Sequence, residues 1–383
     1  TTNSIQEISN ADVIFVIGAN VTESHPIIGL EIKKALRNGK TLIVADTRKV
    51  WLAKKAQTFL NLQPGTDTSL VNALMTVIIN EKLHDEKFIE KRTDKFKTLN
   101  SAIAKNDIKK AVKLTGVSQD SIEEAARIYA NAENAIILYG NGITQHRSGN
   151  DNVRSLVNLA LLTGNIGKEC SGIYPLMGQN NGQGAFNMGA ISDFYTDSQP
   201  VSDINVRKKF EKVYKTKLPK SKGLQIREMF NAASKGKVRS MYVMGADPIM
   251  SEPDTTKVKK AISKLDFLIV QDIFMSNTAQ YADVILPAAC FAEKDGTFTN
   301  IERRVQRVRK TVEPPGKAKA DWNIISELST CMGHPMNYSS PEAIWEEIRK
   351  ISPNFAGINY QRLNNGGIQW PCPKADHPGT KFL

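Results

Sequence analysis

One short design occurs twice in this chain and limits what it can fold into. Asp12-Val-Ile-Phe-Val-Ile-Gly-Ala-Asn20 is an apolar run ending in Gly-Ala-Asn, and Ser240-Met-Tyr-Val-Met-Gly-Ala-Asp-Pro248 repeats it. Each copy leads to a second apolar run that closes on an acid, Thr41-Leu-Ile-Val-Ala-Asp46 and Asp266-Phe-Leu-Ile-Val-Gln-Asp272. An apolar run without polar alternation reads as a strand covered on both faces, as in a parallel sheet with helices on either side. Two copies predict two related α/β domains, each holding one half of a pseudo-symmetric ligand.

The intervening residues fit doubly wound, mainly parallel sheets. Ile28, Ile32, Ala35 and Leu36 mark one helical face that closes at Asn38-Gly39. A third strand at Phe59 to Leu62 turns through Pro64-Gly65-Thr66-Asp67 into a helix bearing Leu70, Leu74, Val77 and Ile78. Ser118 is placed to cap a helix carrying Ile122, Ala125, Ala126 and Tyr129. Ala135 to Gly142 reads as a strand ending in glycines. A core helix with Val153, Leu156, Val157, Ala160 and Leu161 follows, and stops at Thr163-Gly164-Asn165. Ala282-Asp-Val-Ile-Leu-Pro287 supplies a further strand. The expected division is a first domain over 1–134, able to receive the segment after about 325, a second over 135–335, and a helix-and-coil segment over 336–383. In that last segment Ser340-Pro341-Glu342 opens a helix, and the tail from Asn364 reads as coil. Residues 205–223, rich in lysine, read as a surface excursion.

In such sheets ligands bind beyond the carboxyl ends of the strands, where Gly18, Asn20, Asp46, Arg48 and Gly65 fall. An acid ending the second strand suits a ribose or a guanine edge. The glycine spacing is not G-x-G-x-x-G, which disfavours a plain NAD site; ordinary turn chemistry is the alternative for any one of these residues. Tyr174 to Ala190 is glycine- and amide-rich and uncharged, with Leu176, Met177, Phe186 and Met188 interleaved. It reads as a packed loop lining a ligand rather than as a flexible linker. His146 and His25 read as hydrogen-bonded loop imidazoles rather than as acid/base groups or metal ligands.

Composition narrows the function classes. No window reaches the ~18 uninterrupted apolar residues of a membrane span, and no leader pattern opens the chain. The chain starts at Thr1 and enters an apolar strand within about a dozen residues, so one piece of a larger polypeptide is expected. Cys170, Cys290, Cys331 and Cys372 lack metal-ligand spacing, which argues against a metal or iron–sulfur site held by this chain and fits a reducing, cytoplasmic setting. The net charge of +12 raises nucleic acid as a partner. The basic clusters, such as Arg303 to Lys310, have few aromatics and no recognition motif, so they read as solvated faces or as contacts for anionic cofactors or a partner subunit.

Taken together, the motifs resemble those of the molybdopterin-dependent formate dehydrogenases, catalytic subunit, within the dimethyl-sulfoxide-reductase family. The likeness runs over nearly the whole chain. It is carried by Gly18-Ala-Asn20 with Ser24-His-Pro26, Asp46-Thr-Arg48, Gly142-Ile-Thr-Gln-His146, Leu162-Thr-Gly-Asn-Ile-Gly167 and Gly178-Gln-Asn-Asn181 with Gln183-Gly-Ala185. It continues through Met244-Gly-Ala-Asp-Pro248, Val270-Gln-Asp-Ile-Phe274, Asp321-Trp322 and Gln369-Trp-Pro-Cys-Pro373. The resemblance implies two pterin–guanine dinucleotides around one Mo or W atom, formate oxidation, and iron–sulfur electron-transfer partners. By that likeness Gly18, Asn20, Asp46, Arg48, Gly65 and Asp67 line the first dinucleotide. Gly140, Gly142, Gln145, Gly245, Asp247, Gln271 and Asp272 line the second, and Gln179 stands near the metal. Family members carry the four-iron cluster and the metal-ligating Cys or selenocysteine upstream of this region, so the chain alone is expected to be inactive. The family places an Arg for the formate carboxylate immediately before Gly-Gln-Asn-Asn, and Met177 occupies that position. This departure keeps open a different substrate, or a non-catalytic scaffold in an electron-transfer complex.

Overall fold

The apolar run after Asp12 becomes the central strand of a five-stranded parallel sheet. In the computed structural model, which describes residues 1–383, β1 (Val13–Ile17), β2 (Thr41–Ala45), β3 (Thr58–Leu60), β4 (Ala135–Tyr139) and β5 (Gly172–Pro175) lie in the order β3-β2-β1-β4-β5. Four helices matter for the site: α1 (Pro26–Arg37), α2 (Asp67–Asn80), α3 (Gln119–Ala130) and α5 (Gly149–Leu162), with the single turn α4 (Asn141–Thr144) just before α5. Alternate residues of β1 enter two cores. Val13, Phe15 and Ile17 join Leu70, Ile122 and Leu156 of α2, α3 and α5, whereas Ile14 and Val16 join Ile28 and Ile32 of α1. Burying each such side chain contributes about 1.5–3 kcal/mol, so a strand covered on both faces needs apolar residues at every position.

The chain divides into two compact units, residues 1–183 with 300–303 and 380–383, and residues 184–299 with 304–379. The sequence reading opens a second domain at residue 135. Instead β4 pairs with β1 in the first sheet, Val13 opposite Ala135 through Ile17 opposite Tyr139. A strand ending in glycine carries no mark of which sheet it joins. Arg303 also differs from its reading as part of a solvated cluster. It is only 1% exposed, and its guanidinium donates to the carbonyls of Thr1, Thr2, Thr380 and Lys381 at 2.8–3.2 Å.

The second unit repeats the opening of the first. α6 (Ile226–Ser234) and α7 (Thr255–Ile262) cover one face of β6 (Ser240–Met244), β7 (Phe267–Asp272) and β8 (Val284–Pro287), which are parallel and ordered β8-β7-β6. Gly18 and Gly245 both take left-handed φ, 58° and 59°, a conformation that glycine adopts without strain. Each donates its N–H to the end of the neighbouring strand, Gly18 to Ala45 O at 3.0 Å and Gly245 to Gln271 O at 2.9 Å.

Other expectations need correction. The antiparallel sheet of β9 (Gly296–Thr299), β10 (Arg304–Val308) and β11 (Ile368–Gln369) was not foreseen, and β11 puts a strand into the tail read as coil. Ile368 of β11 and Cys372 are buried in one cluster with Trp345 and Phe355, which a coil reading from Gly/Pro content misses. In α5 the buried leucines are Leu156, Leu159 and Leu162, so its face is rotated from the predicted one and Leu161 is only half-buried. Residues 205–223 include most of a helix, Ile204–Tyr214, anchored by fully buried Phe210.

Candidate functional site

The loops leaving β1 and β4 touch backbone to backbone. Gly142 N–H donates to Gly18 O at 3.0 Å. A Cβ at Gly142 would stand 2.7 Å from that oxygen and 2.8 Å from Gly18 Cα, and one at Gly140 would stand 2.9 Å from Ala19 Cβ. The order β3-β2-β1-β4-β5 reverses direction between β1 and β4, so these glycines mark the switch point where a doubly wound sheet opens a crevice.

A cleft of about 480 Å³ lies there. Gly18, Asn20, Asp46, Arg48, Gly65 and Asp67, the six residues expected at one dinucleotide, all line it. Gly140 and Gly142, expected at the other dinucleotide, line this same cleft because β4 belongs to the first sheet. Gln145 caps the carboxyl end of α4, is exposed, and stands outside the lining. His146 is exposed and lines the cleft. Asn141, between the two glycines, lines it too and was missed by the sequence reading, although its flanking residues were the available signal.

The chemistry of the lining is asymmetric. Asp46 is 7% exposed; its Oδ1 accepts the Arg48 N–H at 2.8 Å, and its other oxygen accepts no hydrogen bond from the protein. Asp67 is 6% exposed in the first turn of α2. Burial pushes its carboxyl above the ordinary range, with His146 opposing that push and Asp46 adding to it. Desolvated carboxylates call for N–H donors, such as those of a guanine edge. The Gly18 and Gly142 N–H groups are spent on Ala45 O and Gly18 O, but without side chains these loops let a pyrophosphate approach the backbone closely. These residues therefore fit a pterin–guanine dinucleotide.

The amide-rich loop borders this cleft. Leu176 N–H is held by Tyr139 O at 2.8 Å, and Leu176 and Gly178 line the cleft, while Gln179 is exposed just beyond it. Met177 is half-buried and packs its side chain on the apolar cluster that includes Tyr174 and Leu176. A Cβ added at Gly182 would stand 3.0 Å from Met177 Cε. Phe186, expected to be packed, is 50% exposed.

In the second unit several candidate residues are engaged internally. Gln271 is fully buried; the Tyr242 hydroxyl donates to it, and its amide donates to Asp321 Oδ1 at 2.6 Å. Asp272 Oδ1 accepts from the backbone N–H groups of Ile273 and Phe274 at 2.7 and 3.3 Å. Asp247 accepts four hydrogen bonds from Asn277 and Thr278, at 2.6–3.1 Å. Burial acts to raise its carboxyl, but these bonds together hold it below the ordinary range. A depressed carboxylate adds stability above its unfolded pKa, and that stability is lost as pH falls through the folded value. Asp247→Asn is expected to destabilise the second unit by about 1–2 kcal/mol at pH 7, with the difference from wild type shrinking below about pH 4. Urea denaturation at pH 7 and pH 3 measures both effects. A difference that stays constant with pH contradicts the assignment.

No helix is long and apolar enough to cross a membrane. No group of three or more His, Cys, Asp or Glu side chains is arranged to hold a metal ion.

A doubly wound sheet with a glycine-walled cleft at its switch point defines an α/β protein of the class that takes its ligand beyond the carboxyl ends of the strands. The profile of the molybdopterin oxidoreductase family matches residues 1–331, and the chain belongs to that family. It is 48% identical over its whole length to the formate dehydrogenase alpha subunit of Methanocaldococcus jannaschii, covering 57% of that protein. It is 44% identical to formate dehydrogenase H of Escherichia coli, again over its whole length and covering 54% of the relative. The chain thus spans a little over half the length of these relatives. Among solved structures, acetylene hydratase from Pelobacter acetylenicus superposes with a TM-score of 0.74 over 96% of this chain and 52% of that one. At 21% identity this likeness concerns the fold.

Proposed function

We propose that the chain is the cofactor-binding core of a formate dehydrogenase-type oxidoreductase that uses a bis-molybdopterin guanine dinucleotide with Mo or W. The observation that carries this reading is the cleft, in which bare glycine backbone and two desolvated carboxylates stand together at the sheet's switch point. Identity of 43–48% to relatives named formate dehydrogenase alpha subunits supports the substrate.

Gly18 and Gly142, their own N–H groups already bonded, would wall the pyrophosphate site beside the backbone of Asn20 and Gly140, Arg48 would balance its charge, and Asp46 and Asp67 would accept from the guanine edge. Gly245 and Asp272 take the matching places in the second unit for the other dinucleotide. When bound, the metal of this cofactor takes up the two electrons that formate loses in becoming CO2 and a proton. Gln179 stands at the reacting end, and iron–sulfur partners carry the electrons away. In this reading the metal thiolate and the four-iron cluster come from other parts of the polypeptide. Residues 1–383 by themselves then do not turn over. The setting is the cytoplasm.

Met177 favours a second reading, a family member with another substrate or a scaffold without chemistry, because its thioether packs on an apolar cluster where a carboxylate-binding cation is expected. The deciding experiment is metal analysis and pterin fluorescence after oxidation of the native complex, with formate-dependent dye reduction. Stoichiometric metal with dye reduction supports the first reading. Metal and pterin without dye reduction support another substrate, and absence of both metal and pterin supports the scaffold.

A further inference from the structure

We infer that His25 is a positioning residue whose imidazole latches the segment leaving β5 to the amino-terminal end of α1, and so fixes where Gly178 and Gln179 stand at the cleft. The inference rests on the cofactor-binding reading above. His25 Nε2 lies 2.8 Å from the Met177 carbonyl. A carbonyl oxygen only accepts, so Nε2 carries the proton. Nδ1 lies 2.8 Å from Ser24 Oγ, which is itself 3.0 Å from the Asn20 carbonyl. The serine proton can turn to Nδ1 or to Asn20 O, so the ring stays held at both nitrogens in either of its charge states.

The base of the ring is rigid. His25 is the N-cap of α1, its N–H donates to Val21 O at 2.9 Å, and its carbonyl accepts the Gly29 N–H at 2.9 Å. Pro26 follows and locks the first helical φ. The other partner needs such an anchor. After Leu176 is tied to Tyr139, the Met177 carbonyl is the last backbone group bonded back to this framework before Gly178, Gln179 and Asn180, all exposed. The next backbone bond, Gly182 N–H to Gln179 O at 3.1 Å, closes the turn on itself and not on the sheet. Asn20, Ser24, His25 and Met177 therefore form one chain of contacts joining the loop after β1 to the loop after β5.

The test uses the full-length polypeptide with its cofactor, in the forms His25→Ala and His25→Gln, because a glutamine amide reaches about as far as the ring Nε2. Hydrogen exchange of residues 176–182 is compared with that of β1 and α1, alongside bound pterin and formate KM and kcat. Removing one such bond is expected to speed exchange at 176–182 about fivefold to tenfold in His25→Ala, with β1 and α1 unchanged. His25→Gln restores the exchange to near wild type. The exchange result does not depend on formate: if it holds while formate is not turned over, the latch stands and the substrate reading fails. Unchanged exchange in His25→Ala overturns the latch. So does faster exchange spread through β1 and α1, or failure of His25→Gln to restore protection.

Discussion

Gly142→Ala is expected to destabilise the first unit by about 2–4 kcal/mol and to lower bound pterin roughly tenfold or more, since 1.4 kcal/mol already corresponds to a factor of ten in binding. The sign is not obvious from local preference. Gly142 lies in the short helix α4 without a positive φ, and in a helix alanine is favoured over glycine by about 1 kcal/mol. Sterics decide against it. The new Cβ would meet Gly18 O at 2.7 Å, Gly18 Cα at 2.8 Å and Gly18 C at 3.0 Å, all backbone atoms that no rotamer can move. One loop must withdraw, which breaks the Gly142–Gly18 hydrogen bond and pulls apart the two walls of the cleft. Gly39→Ala is the control. Gly39 has φ of 75° but nothing within 4 Å of a new Cβ, so the variant should lose about 1 kcal/mol and keep its cofactor. Denaturant titration and pterin content of the two variants, both in the full-length polypeptide, measure the contrast. Wild-type stability and pterin content in Gly142→Ala contradict the close-approach argument.

What the sequence made legible was local. The runs at 13–17, 42–45 and 135–139 predicted buried parallel strands because every position in them is covered. The six residues Gly18, Asn20, Asp46, Arg48, Gly65 and Asp67 fall together because each follows a strand end or the turn after one, and a parallel sheet brings its strand ends to one edge. Three things were hidden, each for a physical reason. The membership of β4 depends on a crossover, and the glycines after β4 look the same whichever sheet they close. Asp247 sits at the motif position that Asn20 uses for the cleft, yet it is held by the loop that contains Asn277 and Thr278, and Gln271, the counterpart of core residue Ala45, is fully buried. Buried Arg303 was grouped with its exposed neighbours because a side chain's burial depends on long-range partners, here residues 1, 2, 380 and 381.

Met177→Arg is the second large effect, with kcat/KM for formate expected to rise at least about tenfold in the assembled enzyme. A carboxylate entering a partly desolvated pocket gains about 2–5 kcal/mol from a hydrogen-bonded cation, of which 1.4 kcal/mol suffices for tenfold. Met177 supplies none of this. Its side chain turns onto the apolar cluster with Tyr174 and Leu176, above Gly182. Arginine cannot follow that path, because an unpaired guanidinium in an apolar cluster costs more than the packing returns. It must turn toward Gly178 and Gln179 at the exposed side, where an entering formate arrives under the proposed function. The local alternatives do not replace it. Arg154 is a surface residue of α5, 78% exposed and 3.6 Å from Asp151, and Arg147 is exposed beyond α4. His25 is bonded to the Met177 carbonyl and to Ser24. The lost apolar contact is half-buried, so the variant should fold with near wild-type stability and retain its metal and pterin. If kcat/KM is unchanged or lower with metal, pterin and folding intact, then the cation comes from another part of the polypeptide or the substrate is not formate. Measuring the same variant with other small anions separates those two outcomes, because a general gain across carboxylates marks a new anion site, whereas a gain confined to formate marks the restored one.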